Sequence, residues 1–545
     1  MSGAHSENLA HPHTRLGNLA SALLIAGVFL AGLVLLTRHN DFPAFYHPDE
    51  PSKTRQVQNA EYNFNHPLLL LRTSRLFLSG ENPAEAGQRK IVRAGRTASA
   101  VFSAAAAALL VLAAIRLAGL GAGALVGLLA LTNHQIYELA HYMKEDPALL
   151  LGVVAAATAF VGVVRPGTVG RPGKPERSGW GEILRMAILG GACGLAVSGK
   201  YIGVLTVAFG VLAVGAAPRG RRLSGALAFL TGFALVALTI NEPMLESLSA
   251  FSASLHREVD YAVAGHKGLT RPVPHGVYGA VFRQSTNPAI WLLIALFYAA
   301  LLSDGLCRRW WPRMALCRMV MPGDLRHWGL AIFPLLYTVV LSFSPKTHHR
   351  YFLPMTALFL LQAGLAPFLL RSKTLRRAAL LVAALAIALG AWKTAQYDLA
   401  FGKDTRSRLA EFIRNTLPPD AVIVQDKRVG LPVAGEPRFE GYPTVIPQRV
   451  QGRLFAADEG SPASLRQRGI FYVAVAEGDY GRFFLKTHQA RPEEAAEYER
   501  RRAFYEEVFT RGELLWEAPA GLLQYLQPAI RLYRLPPPPQ EGPGQ

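Results

Sequence analysis

Long apolar segments recur through the first 395 residues of the chain, and no other feature limits its possible folds as strongly. The hydrocarbon core of a bilayer takes about 20 apolar residues in a helix, with a range of about 17–25. Eleven segments approach or reach that length, so the sequence predicts a mainly α polytopic membrane protein with about 11 transmembrane helices. The predicted spans lie at about 18–37, 96–115, 118–136, 147–164, 183–199, 202–217, 225–241, 289–306, 328–343, 351–370 and 378–395.

The composition agrees with this class and excludes several others. Of the 545 residues, 51% are hydrophobic and 17% are charged, whereas soluble proteins average about 25% charged residues. The 50 glycines follow no collagen-like period, and three cysteines are too few for a disulfide framework. A disordered chain, a fibrous protein and a small disulfide-rich scaffold are therefore excluded.

The net charge of +19 is distributed unevenly and indicates the orientation in the membrane. Residues 396–545 carry 20 bases and 20 acids, so the excess belongs to the first 395 residues, where basic residues lie between the spans. Lys and Arg concentrate in short cytoplasmic loops, which explains this charge without a nucleic-acid partner. The basic connections that we place in the cytoplasm, together with the N-terminus, are 165–182, 218–224, 307–327 and 371–377.

The outer side of the membrane then receives four loops of a transmembrane domain over 1–395, namely 38–95, 137–146, 242–288 and 344–350. After this domain, a pattern of helix, turn and strand occurs twice, in DTRSRLAEFIRNTLPPDAVIVQD and in SLRQRGIFYVAVA. The pattern predicts a small extracytoplasmic α/β domain over 396–535 that includes one polar, solvated helix, followed by a disordered Pro-rich tail over 536–545. We expect a multi-pass protein of a bacterial-type inner (plasma) membrane.

Ionisable residues gather at the outer ends of the predicted spans. Charged groups at the membrane edge are costly and mark functional sites. They occur in YHPDEPSK, in NHP, in KEDP and in THHRYF, all on the predicted outer side. The candidate site residues in these segments are Asp49, Glu50, His66, Lys144, Asp146, His349 and Arg350.

Each of these patterns also has a purely structural interpretation. Asp49 and Glu50 before a proline fit a helix N-cap, and Lys144 fits a snorkelling charge beside a cap. His349 and Arg350 fit an interfacial anchor, and His66 alone is typical of a structural histidine. Their common placement on one side of the membrane favours a site for an anionic ligand.

A lipid phosphate is an anion of the right kind for such a site. A departing phosphate gains negative charge in the transition state and needs fixed cations, which Lys144, Arg350 and His66 could supply. An attacking hydroxyl needs a carboxylate base, which Asp49 or Glu50 could supply. From the residues alone, the sequence predicts a membrane enzyme or a transporter that handles an anionic ligand.

An ordered set of motifs resembles the GT-C glycosyltransferases of the large group that contains protein O-mannosyltransferases and aminoarabinose–lipid A transferases. The resemblance covers nearly the whole chain. It rests on HPDE at 47–50, NHP at 65–67, KEDPALL at 144–150, GLAVSGKYIGVL around Lys200, GHKG at 265–268, RYFLP at 350–354 and LRQRGIFYVAVAEGDYGRFF at 465–484.

The resemblance implies an inverting glycosyltransferase that moves a hexose or pentose from a polyprenyl-phosphate donor to a lipid, glycan or protein acceptor on the outer face. It implies that Asp49 is the base, with Glu50 beside it, and that Asp146 shapes the site. It further implies that Lys144 and Arg350 hold the donor phosphate and that His266, in GHKG, contacts sugar or phosphate. His66 stands where some relatives carry Lys.

Three questions stay open at this level. No cofactor follows with certainty, and a divalent cation could bind near the carboxylates, although the metal-ligand spacing is poor. A transporter or flippase for an anionic lipid-linked substrate is the alternative function, although no internal repeat is visible. A third interpretation is a structural assembly protein whose C-terminal region docks partners.

Overall fold

The computed structural model describes twelve stretches of the chain. His266 and the segment 345–348 lie outside them, as do most of the predicted basic connections 165–182 and 307–327 and nearly all of the Pro-rich tail. The described residues are 12–41, 47–78, 80–164, 179–264, 284–309, 324–344, 349–436, 439, 442–452, 454–485, 490 and 492–537.

Helices make up the described part of the chain before residue 401. They are α1 (Pro12–Leu36), α2 (Glu50–Asn59), α3 (Leu69–Leu76), α4 (Gln88–Ala118), α5 (Leu120–Leu131), α6 (His134–Ala140), α7 (Asp146–Val163), α8 (Trp180–Gly199), α9 (Val207–Ala216), α10 (Arg222–Ile240), α11 (Glu242–Glu246), α12 (Leu248–Ala264), α13 (Pro288–Arg309), α14 (Leu325–Ser342), α15 (Leu353–Leu365) and α16 (Lys373–Ala400).

Each of the eleven predicted spans coincides with an apolar helical segment. Within the described ranges, eight of these segments are long and apolar enough to cross a membrane. The remaining three are shorter, at Leu120–Leu131, Tyr201–Ala216 and Pro288–Ser303. The prediction of a mainly helical, multi-pass membrane protein is confirmed, whereas the number of eleven spans is not.

Small residues bring α8 and α10 into backbone contact. A Cβ atom placed on Gly190 would lie 1.9 Å from the carbonyl oxygen of Phe229, and one on Gly232 would lie 2.0 Å from that of Ala187. Close approach through glycine is a common way to associate helices in lipid, where no hydrophobic effect drives them together. The pair α8 and α10 then packs through α8 against α7, which leads to the site.

Helix α15 lies at the centre of the helical domain. Every residue from Leu353 to Leu365 is buried, and the helix contacts α4, α5, α7, α13 and α14. A helix that is apolar on all sides needs such a position, since it has no polar face for water. Arg350 lies three residues before the first residue of this helix.

The chain after α16 forms an α/β unit with one mixed sheet. Its elements are α17 (Thr405–Thr416), β1 (Val422–Gln425), β2 (Arg449–Gln451), α18 (Pro462–Gln467), β3 (Tyr472–Ala476), α19 (Glu477–Tyr480), α20 (Ala495–Arg511), β4 (Glu513–Ala518) and β5 (Ile530–Arg534). The strand order is β2-β1-β3-β5-β4, with β1 parallel to β2 and β3, and with β5 antiparallel to β3 and β4.

Alternating side chains of the central strands enter two cores, one on each face of this sheet. Val473 packs with Tyr505 of α20 on one face, and Ala474 packs with Leu409 of α17 on the other. Both predicted helix-to-strand segments are found. The polar helix expected to be solvated has a buried stripe, because Tyr505 and its neighbours pack on the sheet.

We predict that Gly190→Val disrupts the membrane domain. Its side chain would meet the backbone of Phe229, which cannot rotate away, and overpacking of this kind costs about 1–3 kcal/mol or more. The unfolding temperature in detergent should fall. Gly181→Val, in the same helix but with no atom closer than 3.9 Å to the added Cβ, should unfold as wild type; equal stability of the two variants would contradict the packing described.

Candidate active site

The first part of the site is built by the turn that begins α2. Pro51 lies in the first turn of the helix, where a proline costs no hydrogen bond. Asp49 occupies the N-cap position, but its side chain caps no backbone amide. The helical spacing places Lys53 one turn later, with its amide donating to the carbonyl of Asp49 at 3.1 Å. The Asp49 side chain therefore does not cap the helix, and the structural interpretation of Asp49 as an N-cap does not account for its carboxylate.

The second part of the site is the connection between α6 and α7. Glu145 stands at the N-cap of α7, again without a side-chain cap, and Pro147 lies in the first helical turn. Lys144, Glu145 and Asp146 are all buried. A snorkelling lysine would reach water, so the burial of Lys144 excludes that interpretation.

Lys144 joins these two parts. Its ammonium group forms an ion pair with Asp49 and lies 3.4 Å from Oε2 of Glu145. The other oxygen of Glu145 pairs with Lys53, and His66 Nε2 approaches Oε2 at 4.0 Å. The result is a continuous row of alternating charges that runs from Asp49 through Glu145 to Lys53.

A second ion pair lies at the start of α7. Lys200, in the turn that follows α8, donates from Nζ to Oδ1 of Asp146 at 2.8 Å. The same ammonium lies 4.5 Å from the ring centroid of Tyr351. The pairing explains a lysine at the end of an apolar helix, since a buried charge needs a partner.

Arg350 approaches the same region from the N-terminal side of α15. Its Nη1 lies 2.7 Å from Nε2 of His47 and 3.3 Å from the hydroxyl of Tyr525, and its Nη2 lies 3.4 Å from the hydroxyl of Tyr351. A guanidinium has no lone pair to accept with, so His47 Nε2 is the acceptor. His47 Nδ1 in turn lies 3.7 Å from Oδ2 of Asp49.

Glu50 is separated from solvent and is fully paired. Arg96 of α4 donates Nε to Oε1 at 3.1 Å and Nη2 to Oε2 at 2.9 Å. The amide of Met143 donates to Oε1 at 2.9 Å, and that of His47 lies 3.3 Å from Oε2. With its oxygens occupied in this way, Glu50 has the arrangement of a positioning residue rather than of a proton acceptor.

The remaining candidates lie at the margin of the cluster or beyond the described ranges. His349 points towards α6, with Nε2 3.7 Å from Oε2 of Glu138, and its carbonyl accepts from Gln135 at 2.7 Å. Among the described residues, His66 approaches the cluster at Glu145. The position of His266 lies outside the described residues.

The surroundings shift the pKa values of several ionisable groups in the cluster. Burial alone would raise the pKa of Asp49, but Lys144, His47 and Lys53 lower it well below its usual value. Burial, together with neighbouring cations, lowers the pKa of His47 and of His66, so both rings are neutral at pH 7. Burial also lowers the pKa of Lys144, an effect that Asp49 opposes.

The described side chains of the cluster have a surplus of one positive formal charge. Glu50 cancels Arg96, and the remaining side chains comprise four cations and three carboxylates: Lys53, Lys144, Lys200, Arg350, Asp49, Glu145 and Asp146. Buried cations gain most from a ligand that replaces their lost hydration. The arrangement can therefore accept an anion.

Metal ligands are arranged differently from these side chains. Within the described ranges, no three His, Cys, Asp or Glu residues converge in a way that could hold a metal ion. Lysines and arginines lie between the carboxylates instead, where they occupy the space and the charge that a cation would need.

Sequence reasoning missed several residues of the site. Lys53 lies within the YHPDEPSK motif and follows Asp49 by one helical turn, a spacing that could have indicated it. Arg96 is a charged residue near the start of an apolar helix, and a charge in such a segment marks a candidate functional residue. Glu145 lies between two residues that were singled out. Tyr525 is far away in sequence and carries no local signal.

We predict that Arg96→Ala destabilises the protein by about 3–5 kcal/mol, because it leaves Glu50 charged and buried without its partner. Thermal unfolding in detergent measures the effect. Arg93→Ala removes a side chain of the same helix that is 63% exposed and should change little. The double variant Glu50→Gln/Arg96→Met should recover most of the loss; no recovery would contradict the assigned pairing.

One family model matches the chain. Residues 85–238 match the model described as dolichyl-phosphate-mannose-protein mannosyltransferase, a segment that includes the KEDPALL motif and Lys200. None of the curated proteins matches the sequence.

Several solved membrane proteins resemble the structure at low sequence identity. ArnT from Cupriavidus metallidurans bound to undecaprenyl phosphate is 15% identical, with a TM-score of 0.44 over 94% of this chain and 97% of that one. AglB from Archaeoglobus fulgidus, in complex with an inhibitory peptide and a dolichol-phosphate, is 10% identical, with a TM-score of 0.47 over 92% and 80%.

The S. cerevisiae Pmt1-Pmt2 complex bound to its sugar donor is 15% identical, with a TM-score of 0.35 over 45% of this chain and 36% of that one. These TM-scores are all below 0.5, so the structural likeness establishes nothing by itself. The family model confirms, over residues 85–238, the resemblance to protein O-mannosyltransferases that the sequence motifs predict.

Proposed function

We propose that the protein is a membrane glycosyltransferase that moves one sugar from a polyprenyl-phosphate donor to an acceptor hydroxyl or amine, with Asp49 as the base. One observation carries the assignment of Asp49. The side chain of Asp49 is 44% exposed, whereas those of Glu50, Glu145 and Asp146 are 0%, 2% and 1% exposed. Of these four carboxylates, only Asp49 can meet an incoming acceptor.

The cations beside Asp49 fit a donor phosphate. Lys144 contacts Asp49 directly, and Arg350 is connected to it through His47. Cations held in place before the reaction stabilise charge that develops on a leaving group, because no reorganisation is needed during the step. Arg350 presents a planar fork that suits phosphate oxygens, and Lys144 supplies a point charge.

The transfer step then balances in atoms and charge. The acceptor oxygen or nitrogen attacks the anomeric carbon and forms the new bond, and its proton passes to Asp49. The bond from the anomeric carbon to the phosphate oxygen breaks, and phosphate keeps the electron pair. One displacement inverts the anomeric centre. No acid is required for the leaving group, in contrast to the paired carboxylates of glycoside hydrolysis.

Two buried carboxylate oxygens suit the hydroxyl groups of the sugar. Oδ2 of Asp146 and Oε2 of Glu145 accept no hydrogen bond within the described ranges. Buried acceptors are normally satisfied; since both side chains are almost fully buried, sugar hydroxyls would reach these oxygens only if donor binding opens the connection between α6 and α7. Glu50 would hold the first outer loop in place. Contacts of His66, His266 and His349 with donor or sugar remain predictions.

The family match favours the transferase over the transporter or flippase. The description of that family names a dolichyl-phosphate-mannose donor and a protein acceptor. For this chain we propose a hexose or pentose and a lipid, glycan or protein acceptor. We further propose that the site and the α/β unit face the outside of a bacterial-type inner membrane, with the basic connections 218–224 and 371–377 in the cytoplasm.

We predict that Asp49→Asn lowers kcat by at least about 100-fold, since general-base catalysis contributes about 10²–10⁴-fold. The amide keeps the shape of the side chain but cannot take a proton. The assay follows sugar transfer from radiolabelled polyprenyl-phosphate hexoses and pentoses to a membrane extract, with purified protein in detergent. Asp41→Asn, at an exposed ion pair with Arg93, is the matched control. Wild-type turnover by Asp49→Asn would overturn the assignment of the base.

We predict a second effect, on the pH dependence. The positive charge of Lys144 stabilises the Asp49 carboxylate, so Lys144→Met raises the pKa of Asp49. Activity that needs the ionised base is lost as pH falls through that pKa, and the acid limb of kcat/KM should therefore move to higher pH. Lys90→Met, which removes an exposed lysine paired with Glu81, should leave the profile unchanged. An unmoved acid limb in Lys144→Met would show that Asp49 is not the group that titrates.

A further inference from the structure

A loop of the α/β unit enters the helical domain. This loop, residues 519–529, connects β4 to β5 and leaves the sheet at its edge. Leu523 and Leu526 are fully buried and belong to the same apolar core as the transmembrane helices. Tyr525 is partly buried against that core. The α/β unit thus contributes side chains to the interior of the other domain.

Polar contacts fix the loop at the end of α16. The side-chain amide of Gln527 donates to the carbonyls of Ala400 at 3.2 Å and Lys403 at 3.0 Å. The amide of Thr405 donates to the carbonyl of Leu526 at 3.2 Å. These bonds hold the two residues that directly follow Tyr525, so the end of α16 helps to fix the position of Tyr525.

Tyr525 is thereby placed against two residues of the candidate active site. Its hydroxyl accepts from Nη1 of Arg350 at 3.3 Å. Its ring lies 4.3 Å from the ring of His47, centroid to centroid, and 5.7 Å from that of Tyr142 in an edge-on arrangement. Aromatic pairs at such separations attract beyond the area that they bury.

The two residues that Tyr525 touches are themselves connected to the proposed base. Nη1 of Arg350 lies 2.7 Å from Nε2 of His47, and the backbone amide of Asp49 lies 3.1 Å from Nδ1 of the same ring. Nδ1 is the nitrogen that lies 3.7 Å from the Asp49 carboxylate. A chain of contacts therefore runs from Tyr525 through Arg350 and His47 to Asp49.

We propose that Tyr525 is a positioning residue of the transfer site, supplied by the α/β unit to hold Arg350 and His47 in the geometry that binds the donor phosphate. The proposal rests on the transferase function proposed above. The guanidinium plane of Arg350 can turn about its long side chain unless neighbours fix it. The hydroxyl of Tyr525, the imidazole of His47 and the hydroxyl of Tyr351 fix that plane.

The Michaelis constants for donor and acceptor distinguish this role of Tyr525 from a role in selecting the acceptor. If the α/β unit only chose the acceptor, changes at Tyr525 would alter the acceptor KM and leave the donor unaffected. A positioning role at Arg350 alters the donor KM and the affinity for polyprenyl phosphate instead. The hydroxyl and the ring also act on different partners, so Tyr525→Phe separates the contact with Arg350 from the packing on His47.

The experiment compares Tyr525→Phe, Tyr525→Ala and Leu522→Ala in the full chain in detergent. Leu522 lies in the same loop and is 45% exposed. Tyr525→Ala should raise the donor KM and the Kd for polyprenyl phosphate by about 10-fold or more, the usual effect of a lost hydrogen bond to a charged group. Tyr525→Phe should lie between Tyr525→Ala and wild type. Leu522→Ala should match wild type, and the acceptor KM should not change in any variant.

One result would contradict the positioning role of Tyr525, and a different result would contradict the transferase function. Wild-type donor KM, kcat and lipid-phosphate affinity in Tyr525→Ala would overturn the positioning role while leaving the transferase intact. Absence of transfer by wild type from every lipid-phosphate sugar would overturn the transferase. In that case the affinities for polyprenyl phosphate still decide whether Tyr525 positions Arg350, since an unchanged Kd in Tyr525→Ala refutes it.

Discussion

The ion pair between Glu50 and Arg96 has no access to water, and the arrangement of the site depends on it. Glu50 begins α2, Arg96 belongs to α4, and the amide that also binds Glu50 belongs to Met143 in the connection before α7. Two buried charges of opposite sign hold each other because either one alone would cost several kcal/mol. The carboxylate of the preceding residue, Asp49, is therefore held at a fixed place beside Lys144.

Lys144 shows how the cluster can exist at the edge of a membrane. It lies between Asp49 and Glu145, so that one ammonium group faces two carboxylates, and Lys53 pairs with the other oxygen of Glu145. In the absence of a ligand, the carboxylates stabilise the cations. A phosphate would replace part of that interaction, and the Asp49 carboxylate would then lose a partner and become more basic. In the function that we propose, binding of the donor and activation of the base would therefore be linked through the ammonium group of Lys144.

The membrane helices were largely predictable from the sequence, because lipid leaves the backbone no alternative to helices or closed barrels. The span predicted at 118–136 was too long, since α5 ends at Leu131 and the side chain of Asn133 caps a separate helix. Asp49, Lys144, Asp146 and Arg350 could be singled out as candidates because charged residues at span ends are conspicuous. Their partners depend on contacts between distant segments, which leave no period or motif in the sequence.

The insertion of residues 519–529 also affects how the protein matures. Domains generally fold as units, from the N-terminal side during synthesis, so the helical domain is inserted long before the β4–β5 loop leaves the ribosome. Until the five-stranded sheet forms, Leu523, Tyr525 and Leu526 are missing from the helical core. The newly inserted helices consequently hold an unfinished site, and the last strands of the sheet complete it. Completion of the helical core therefore depends on folding of the α/β unit.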